Sequence, residues 1–131
     1  IPAEPLFRSG EFSGLIGRRA STLSQGESDD VKVTSESSSS FDPKVKLNPV
    51  LRQRGTITGL DAEAPLALAV NGRIAAVGQS FEDNGKMRYS ILIPQTALKT
   101  GENEIVLYEV SESAGSGGAR PVLARLWSST G

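Results

Sequence analysis

Acidic side chains are the groups in this sequence that could do acid–base chemistry. The chain has 131 residues, of which 15 are Asp or Glu, and it contains no histidine and no cysteine. Catalytic triads with a histidine base and most zinc sites are therefore excluded within it. Asp29-Asp30 and Glu82-Asp83 could supply the carboxylate pair of a glycosidase. Both pairs lie in predicted turns or at strand ends, and nothing makes two carboxylates face each other, so we predict no catalytic residue.

Two short motifs could bind ions. Asp83-Asn84-Gly85 could suggest a calcium loop, but the acidic spacing and the distant glutamate of an EF-hand are missing. Arg18-Arg19 could suggest a cleavage or anion site, and two solvated arginines are the simpler interpretation. The net charge of −1 provides no basic field for nucleic acid. We therefore predict no metal, no cofactor and no nucleic-acid partner.

Aromatic rings are the groups that a sugar-binding β domain would need. The candidates are Phe81, Tyr89, Tyr108 and Trp127. The two tyrosines alternate with apolar residues along predicted strands, as core residues do. Trp127 is the ring that most needs inspection, although covering a sheet edge is its simpler role.

These candidates must be positioned by β-strands, and the clearest strand signal is a hairpin. Two apolar runs, 66–70 and 74–77, flank Asn71-Gly72. An Asn-Gly pair between apolar runs predicts a tight two-residue turn, because a type I′ turn needs positive φ at both central residues.

The two-residue turn also predicts a register. It places Val70 opposite Arg73, Leu68 opposite Ala75 and Leu66 opposite Val77. Directly opposed residues share a face. One face should carry Leu66, Leu68, Val70, Ala75 and Val77 and meet the opposing sheet. The other should carry Ala67, Ala69, Ile74 and Ala76, and we expect the N-terminal segment to cover it.

Further strands are predicted on both sides of this hairpin. Val31 and Val33 alternate with polar residues, which is typical of an edge strand. Thr56 and Thr58 flank Ile57, so their face is either ordinary pleated surface or a ligand-binding face, and the structural role is simpler. The remaining strands are predicted over 87–93, 104–110 and 120–127. We expect the core to include Leu68, Val70, Ile91, Ile93, Ile105 and Leu107.

This pattern predicts an all-β fold. The expected architecture is an antiparallel β-sandwich, Ig-like or jelly-roll, of about 6–8 short strands. A partly open barrel would fit almost as well. We divide the chain into an N-terminal segment packed on the domain (1–28), the sandwich (29–127) and a frayed end (128–131). Because the sequence begins with Ile1 rather than Met, we expect it to be a piece of a larger protein.

The order of motifs resembles that of bacterial Ig-like β-sandwich modules of cell-surface and exported proteins. The matching residues are Val70-Asn71-Gly72, Phe81, Ile93-Pro94, Leu98, Gly101, Asn103, Ile105 and Leu107. From Pro5 to about Val110 the chain is also similar to the C-terminal extracytoplasmic domain of actinobacterial membrane-anchored sulfatase-like hydrolases. The resemblance carries no catalytic residue, metal ligand or nucleophile onto this chain.

The resemblance implies a role and a location. The chain is expected to be a non-catalytic accessory domain of an exported or membrane-anchored bacterial enzyme, a sulfatase-like hydrolase. Its location would be extracytoplasmic, either periplasmic or at the cell surface. Its partner would be the catalytic domain of that parent protein, with membrane attachment only through an anchor outside this chain. The alternatives are a carbohydrate-binding module for cell-surface carbohydrate and a cell-surface adhesion module.

Overall fold

The computed structural model describes residues 15–22, 24–27, 31–36, 40–41, 50–113 and 120–130. Within these residues the chain forms β-strands and short 3-10 turns, with no α-helix. The strands are β1 (Ser24–Glu27), β2 (Lys32–Ser35), β3 (Ser40–Phe41), β4 (Val50–Thr58), β5 (Pro65–Val70), β6 (Arg73–Gln79), β7 (Phe81–Asp83), β8 (Lys86–Pro94), β9 (Gly101–Glu102), β10 (Ile105–Ser113) and β11 (Arg120–Ser128). The 3-10 turns lie at Ala20–Thr22 and Gln95–Ala97.

The strands form two sheets that pack face to face. One sheet has the order β1-β11-β10-β5-β6 and the other has the order β2-β4-β8-β7. Neighbouring strands pair antiparallel, except that β1 runs parallel to β11. A separate short ladder joins β3 to β9. This arrangement confirms the predicted all-β sandwich.

The core between the sheets is built from alternating residues of both inner faces. All six predicted core residues are buried, none more than 3% exposed. Tyr89 and Ile57 complete the β4–β8 side of this core. Each large aliphatic side chain buried in this way contributes roughly 1.5–3 kcal/mol relative to exposure. The period-two pattern of the sequence therefore located the core correctly.

The β5–β6 hairpin turns where the sequence predicted. Asn71 and Gly72 have φ of 52° and 89°, and Val70 lies opposite Arg73. Positive φ at both central residues is the requirement of the type I′ turn. Asn84 and Gly85 repeat this conformation between β7 and β8, with φ of 53° and 79°.

The predicted register was wrong beyond the first two pairs of the hairpin. A β-bulge at Ala75 places Leu68 opposite Ala76 instead of Ala75, and Leu66 opposite Gly78 instead of Val77. Because a bulge sets two residues of one strand against one of its partner, every later side chain changes face. Ala76 therefore joins the core between the sheets, whereas Val77 packs on the outer face.

The outer face of the five-stranded sheet is covered by part of the N-terminal segment. Leu15 and Ala20 pack with the small side chains of Ala67 and Ala69 and with Ile74. The segment is also hydrogen bonded to the hairpin: the Gly17 N–H donates to the Ile74 carbonyl at 2.7 Å and the Ala20 N–H to the Gly72 carbonyl at 2.9 Å. The alanine face is thus buried by the chain itself.

The four-stranded sheet has β2 at one edge, as the alternation of Val31 and Val33 predicted. Its pairing with β4 depends on Gly55. A Cβ atom at this position would collide with the Thr34 carbonyl oxygen and would lie 3.1 Å from the Ser35 Cα and 3.0 Å from the Tyr89 ring. Gly55 is therefore a point of close backbone approach between β2 and β4.

Candidate functional site

The two asparagines of the motifs that carry the family resemblance lie side by side. Asn71 Nδ2 donates to Asn103 Oδ1 at 3.0 Å, and Lys99 N donates to the same oxygen at 2.9 Å. Asn103 Nδ2 donates to the Lys99 carbonyl at 3.0 Å and the Gly101 carbonyl at 3.1 Å. Asn71 Oδ1 accepts from Glu104 N at 2.9 Å. These contacts lock the hairpin turn to the loop before β10, so we interpret the two motifs as structural.

Ser80 carries a buried hydroxyl, and serine hydroxyls can act as nucleophiles in catalysis. It is 1% exposed. Its Oγ donates to the Asp61 carbonyl at 2.6 Å and accepts from the Ala64 N–H at 3.0 Å. Both hydrogen-bonding functions of the hydroxyl therefore hold the 61–64 loop, which is a structural role.

Of the two acidic pairs named from the sequence, Glu82-Asp83 lies in the described residues, and its carboxylates do not face each other. Asp29-Asp30 lies outside the described residues. Glu82 and Asp83 are exposed on the edge strand β7, where they oppose Met87 and Lys86 respectively. Successive residues of a strand point to opposite faces, so the two carboxylates diverge.

Glu109 is an acidic group that the sequence analysis did not select. Partial burial raises the pKa of its carboxyl, and the negative charge of Asp61 raises that pKa further. The sequence could have indicated Glu109 by its position in β10, where it follows the same two-residue period as the core residues Ile105 and Leu107. A raised carboxyl pKa is typical of general acids but also of structural carboxylates at the margin of a core. A raised pKa by itself does not identify a catalytic group, and we assign Glu109 no catalytic role.

The aromatic candidates divide into packed and exposed rings. Tyr89 and Tyr108 are 1% and 6% exposed, and burial is the main cause that raises the pKa of each phenol. Trp127 is half-buried and packs against the core between the sheets. Phe81 is 41% exposed. Among these four rings, Phe81 is therefore the one presented to solvent.

Arg19 lies beside Arg73 at the tip of the hairpin. The two residues form an isolated β-bridge, and together with Ser21 and Tyr108 they line a polar cavity of about 430 Å³. Arg73 Nη1 donates to the Gly17 carbonyl at 3.0 Å, which ties this guanidinium to the covering segment. Arg19 of the Arg18-Arg19 motif therefore lies next to Arg73, and the hydrogen bond of Arg73 to Gly17 has a structural role.

In the residues that the structure describes, no three His, Cys, Asp or Glu side chains come together as metal ligands. None of the described helices has the length and apolar character needed to cross a bilayer.

The outer face of the four-stranded sheet brings together residues that are distant in the sequence. Cross-strand pairing puts residues of β2, β4, β7 and β8 on this one face, and the alternate residues of β4 and β8, such as Ile57 and Ile91, point into the core. Its charged residues are Lys32, Glu36, Arg52, Arg54, Asp83, Lys86 and Arg88. Its other residues are Thr34, Thr56, Thr58, Phe81, Ser90 and Leu92. We call this surface the basic face.

The basic face has an uneven charge. Five of its residues are basic and two are acidic, a net of +3, whereas the whole chain carries −1 and the remainder therefore −4. Arg88 donates to both carboxylate oxygens of Glu36, at 3.0 and 3.2 Å. Arg52 Nη1 donates to Ser90 Oγ at 2.7 Å. These contacts hold two of the three guanidinium groups in defined positions on the sheet.

The basic face also exposes apolar groups. In the described part of the chain, three large hydrophobic side chains are strongly exposed, namely Ile16 at 49%, Leu92 at 46% and Phe81 at 41%. Leu92 and Phe81 lie on the basic face, opposite Arg52 and Arg88 respectively. At one end of the face, Thr56, Thr58 and Lys86 line a cleft of about 480 Å³ between β4 and the β7–β8 hairpin.

Comparison with known proteins adds no relative. No protein family, no characterised protein and no solved structure matches the chain.

Proposed function

We propose that this chain is a non-catalytic accessory domain of an exported or membrane-anchored bacterial enzyme, with a sulfatase-like hydrolase as the parent. The domain lies outside the cytoplasm, in the periplasm or at the cell surface. It packs against the catalytic domain of the parent and orients it. The membrane is reached only through an anchor elsewhere in the parent.

The strand order supports the Ig-like part of this proposal. The order β2-β4-β8-β7 corresponds to strands A, B, E and D of an immunoglobulin-like sandwich, and β11-β10-β5-β6 corresponds to G, F, C and C′. Many cell-surface domains share this sandwich architecture. The strand order therefore agrees with the resemblance drawn from the V-N-G and G-x-N-x-I motifs.

The observation that carries the proposal is the contrast between the two outer faces. Leu15 and Ala20 cover the outer face of the five-stranded sheet, whereas the outer face of the other sheet is broad, basic and exposed. Small-molecule sites are concave and enclose most of their ligand. A broad face of four strands suits contact with another macromolecular surface instead.

A substrate panel tests the non-catalytic role. The isolated chain is incubated with sulfate-ester, phosphate-ester and glycoside substrates, and we expect no turnover above background. Glu109 is the carboxyl to substitute if activity appears, because its pKa is raised. Turnover that Glu109→Gln abolishes and Glu82→Gln preserves would replace the accessory role with an enzymatic one.

Deletion from the parent tests the accessory role itself. Removing this chain should leave the active-site chemistry intact, with kcat of the folded enzyme within about twofold, while lowering the thermal stability of the catalytic domain. Loss of all activity in a catalytic domain that remains folded would contradict the proposal.

A carbohydrate-binding module is the second candidate, and Phe81 is the observation that favours it. This ring is 41% exposed and shares the basic face with Thr34 and Thr56, whose hydroxyls could bind sugar oxygens. Affinity electrophoresis against a panel of cell-surface polysaccharides tests it. Retardation that Phe81→Ala removes would favour carbohydrate binding over the accessory role.

A further inference from the structure

We propose that the basic face binds a carboxylate-rich protein surface, and that this surface belongs to a neighbouring domain of the same polypeptide. The inference deepens the accessory role by naming the docking face and the chemistry of its partner. It rests on the proposed function only for the location of that partner.

Charge complementarity identifies the partner as acidic. The basic face carries a net charge of +3 on a chain whose other residues carry −4. Three of its five cations are arginines, and the guanidinium group matches the planar carboxylate with two parallel hydrogen bonds. The pairing of Arg88 with both oxygens of Glu36 shows this geometry within the chain itself.

The apolar groups on the face identify the partner as protein. Leu92 lies opposite Arg52, and Phe81 lies opposite Arg88. Arginine and aromatic residues are enriched at protein interfaces, where a few apolar anchors are surrounded by polar contacts. An exposed leucine has no role in binding an anionic glycan, and a sugar platform usually needs more than one exposed ring. A protein surface therefore fits this residue set better than a polysaccharide does.

The size of the face places the partner in the same polypeptide. The four strands contain roughly 25 residues. At about 3.3 Å per residue and about 4.8 Å between strands they cover about 400 Å². With the relief of its side chains included, a face of this size is at the low end of the roughly 600–1,000 Å² of accessible surface that each partner of a stable complex buries. A contact of this size is weak between free partners but becomes effective when a linker supplies a local concentration in the millimolar range.

Two paired substitutions of equal charge test the inference. Arg52→Glu/Arg54→Glu reverses two charges on the basic face. Arg18→Glu/Arg19→Glu reverses two adjacent exposed arginines on the segment that covers the other sheet, and serves as the matched control. Arg52→Gln/Arg54→Gln removes the same charges more gently and is the variant to use if the reversal does not fold. Thermal unfolding first establishes that each variant is native.

The probes are a 20-residue poly-L-glutamate and heparin of equal total charge, and binding is measured by fluorescence anisotropy at low and at physiological salt. We expect the wild-type chain to bind poly-L-glutamate in a salt-dependent manner. Arg52→Glu/Arg54→Glu should weaken this binding at least tenfold, and the control pair should change it by less than about twofold. In the full-length parent, the proposed docking predicts a contact with a neighbouring domain that Arg52→Glu/Arg54→Glu abolishes and Arg18→Glu/Arg19→Glu preserves.

Several results would overturn the inference. Equal losses of poly-L-glutamate binding in the two charge-reversal variants would show that only the net charge of the chain matters. Heparin binding at least tenfold tighter than poly-L-glutamate, lost in Arg52→Glu/Arg54→Glu, would make the occupant a glycan. A dimer that this variant dissociates would make the occupant a second copy. If the isolated domain binds its parent but the reversal has no effect, the docking face is wrong and the accessory role stands.

Discussion

Replacing Gly55 by alanine perturbs a close backbone approach between β2 and β4. A methyl group at this position would collide with the Thr34 carbonyl oxygen, and the Ser35 Cα and the Tyr89 ring lie only 3.1 and 3.0 Å away. Because the nearest atom belongs to the backbone, the collision cannot be relieved by a change of rotamer. The edge strand β2 would have to move away from β4.

The cost of that movement follows from the pairing of the two strands. Overpacking a well-filled site costs typically about 1–3 kcal/mol. The ladder of β2 with β4 spans four residue pairs, and Gly55 lies at its end opposite Ser35. Losing one or two of these hydrogen bonds adds about 0.5–1.5 kcal/mol each. We therefore expect Gly55→Ala to lower the free energy of unfolding by about 1.5–6 kcal/mol, a large part of the roughly 5–15 kcal/mol of an ordinary domain.

Urea denaturation followed by Trp127 fluorescence measures this loss. Gly78→Ala is the matched control, because its Cβ would meet only the Ile91 side chain, at 3.2 and 3.4 Å, which can adjust. Hydrogen exchange should show lost protection in β2 and retained protection in β5 and β10. If Gly55→Ala lowers the free energy of unfolding no more than Gly78→Ala does, the argument from backbone contact is refuted.

Three further outcomes are expected. Asn71→Ala and Asn103→Ala should each destabilise the fold by about 1–3 kcal/mol, with a coupling of at least about 0.5 kcal/mol in the double-mutant cycle measured by urea denaturation, because their amides are hydrogen bonded at 3.0 Å. Gly72→Val should cost about 1–3 kcal/mol in the same assay, since a β-branched residue resists φ of 89°; a cost below about 0.5 kcal/mol would contradict the turn assignment. Burial and the charge of Asp61 raise the pKa of Glu109 above 4.5, so the charged form of this carboxyl disfavours folding. Glu109→Gln should therefore raise Tm relative to wild type as the pH rises above about 4.5, and should give no gain in Tm below that pH. A gain in Tm that does not depend on pH would refute this cause.

The sequence predicted those features whose causes are local. The turn at Asn71-Gly72 depends on the conformational freedom of two residues. The core positions of β8 and β10 depend on an alternation within single strands, and Ile91, Ile93 and Ile105 follow it without interruption. Local rules suffice here because one buried face fixes the orientation of every residue in the strand.

The bulge at Ala75 shows where those rules fail. Nothing in the run from Ile74 to Val77 distinguishes a bulged residue from a paired one, because all four residues are apolar. The bulge sets Ala76 rather than Val77 toward the opposing sheet, where Ala76 packs among the core residues. The choice between the two registers is therefore made by packing between sheets, which a strand pattern does not contain.

The basic face could not be assembled from the sequence for a related reason. Lys32, Arg52 and Arg88 are far apart along the chain, and each has at least one apolar neighbour next to it in the sequence. Only the pairing of Thr58 with Lys32, of Thr56 with Arg88 and of Arg52 with Leu92 brings them onto one surface. A net charge of −1 over the whole chain conceals a local excess of +3, since the opposite charges lie elsewhere. Composition can exclude a uniformly basic protein, but a basic face on an acidic chain is a consequence of topology.

The same topology separates stability from binding in this domain. Asn71 and Asn103, which belong to the motifs of the resemblance, form hydrogen bonds within the fold. The basic face instead lies on the outer surface of β4 and β8, whose inner residues Ile57 and Ile91 hold the core. Because strand residues alternate between the two faces, the outer positions can change charge without disturbing the inner ones. Substitutions at Arg52 should therefore alter docking while leaving the unfolding free energy within about 0.5 kcal/mol, as expected for surface positions.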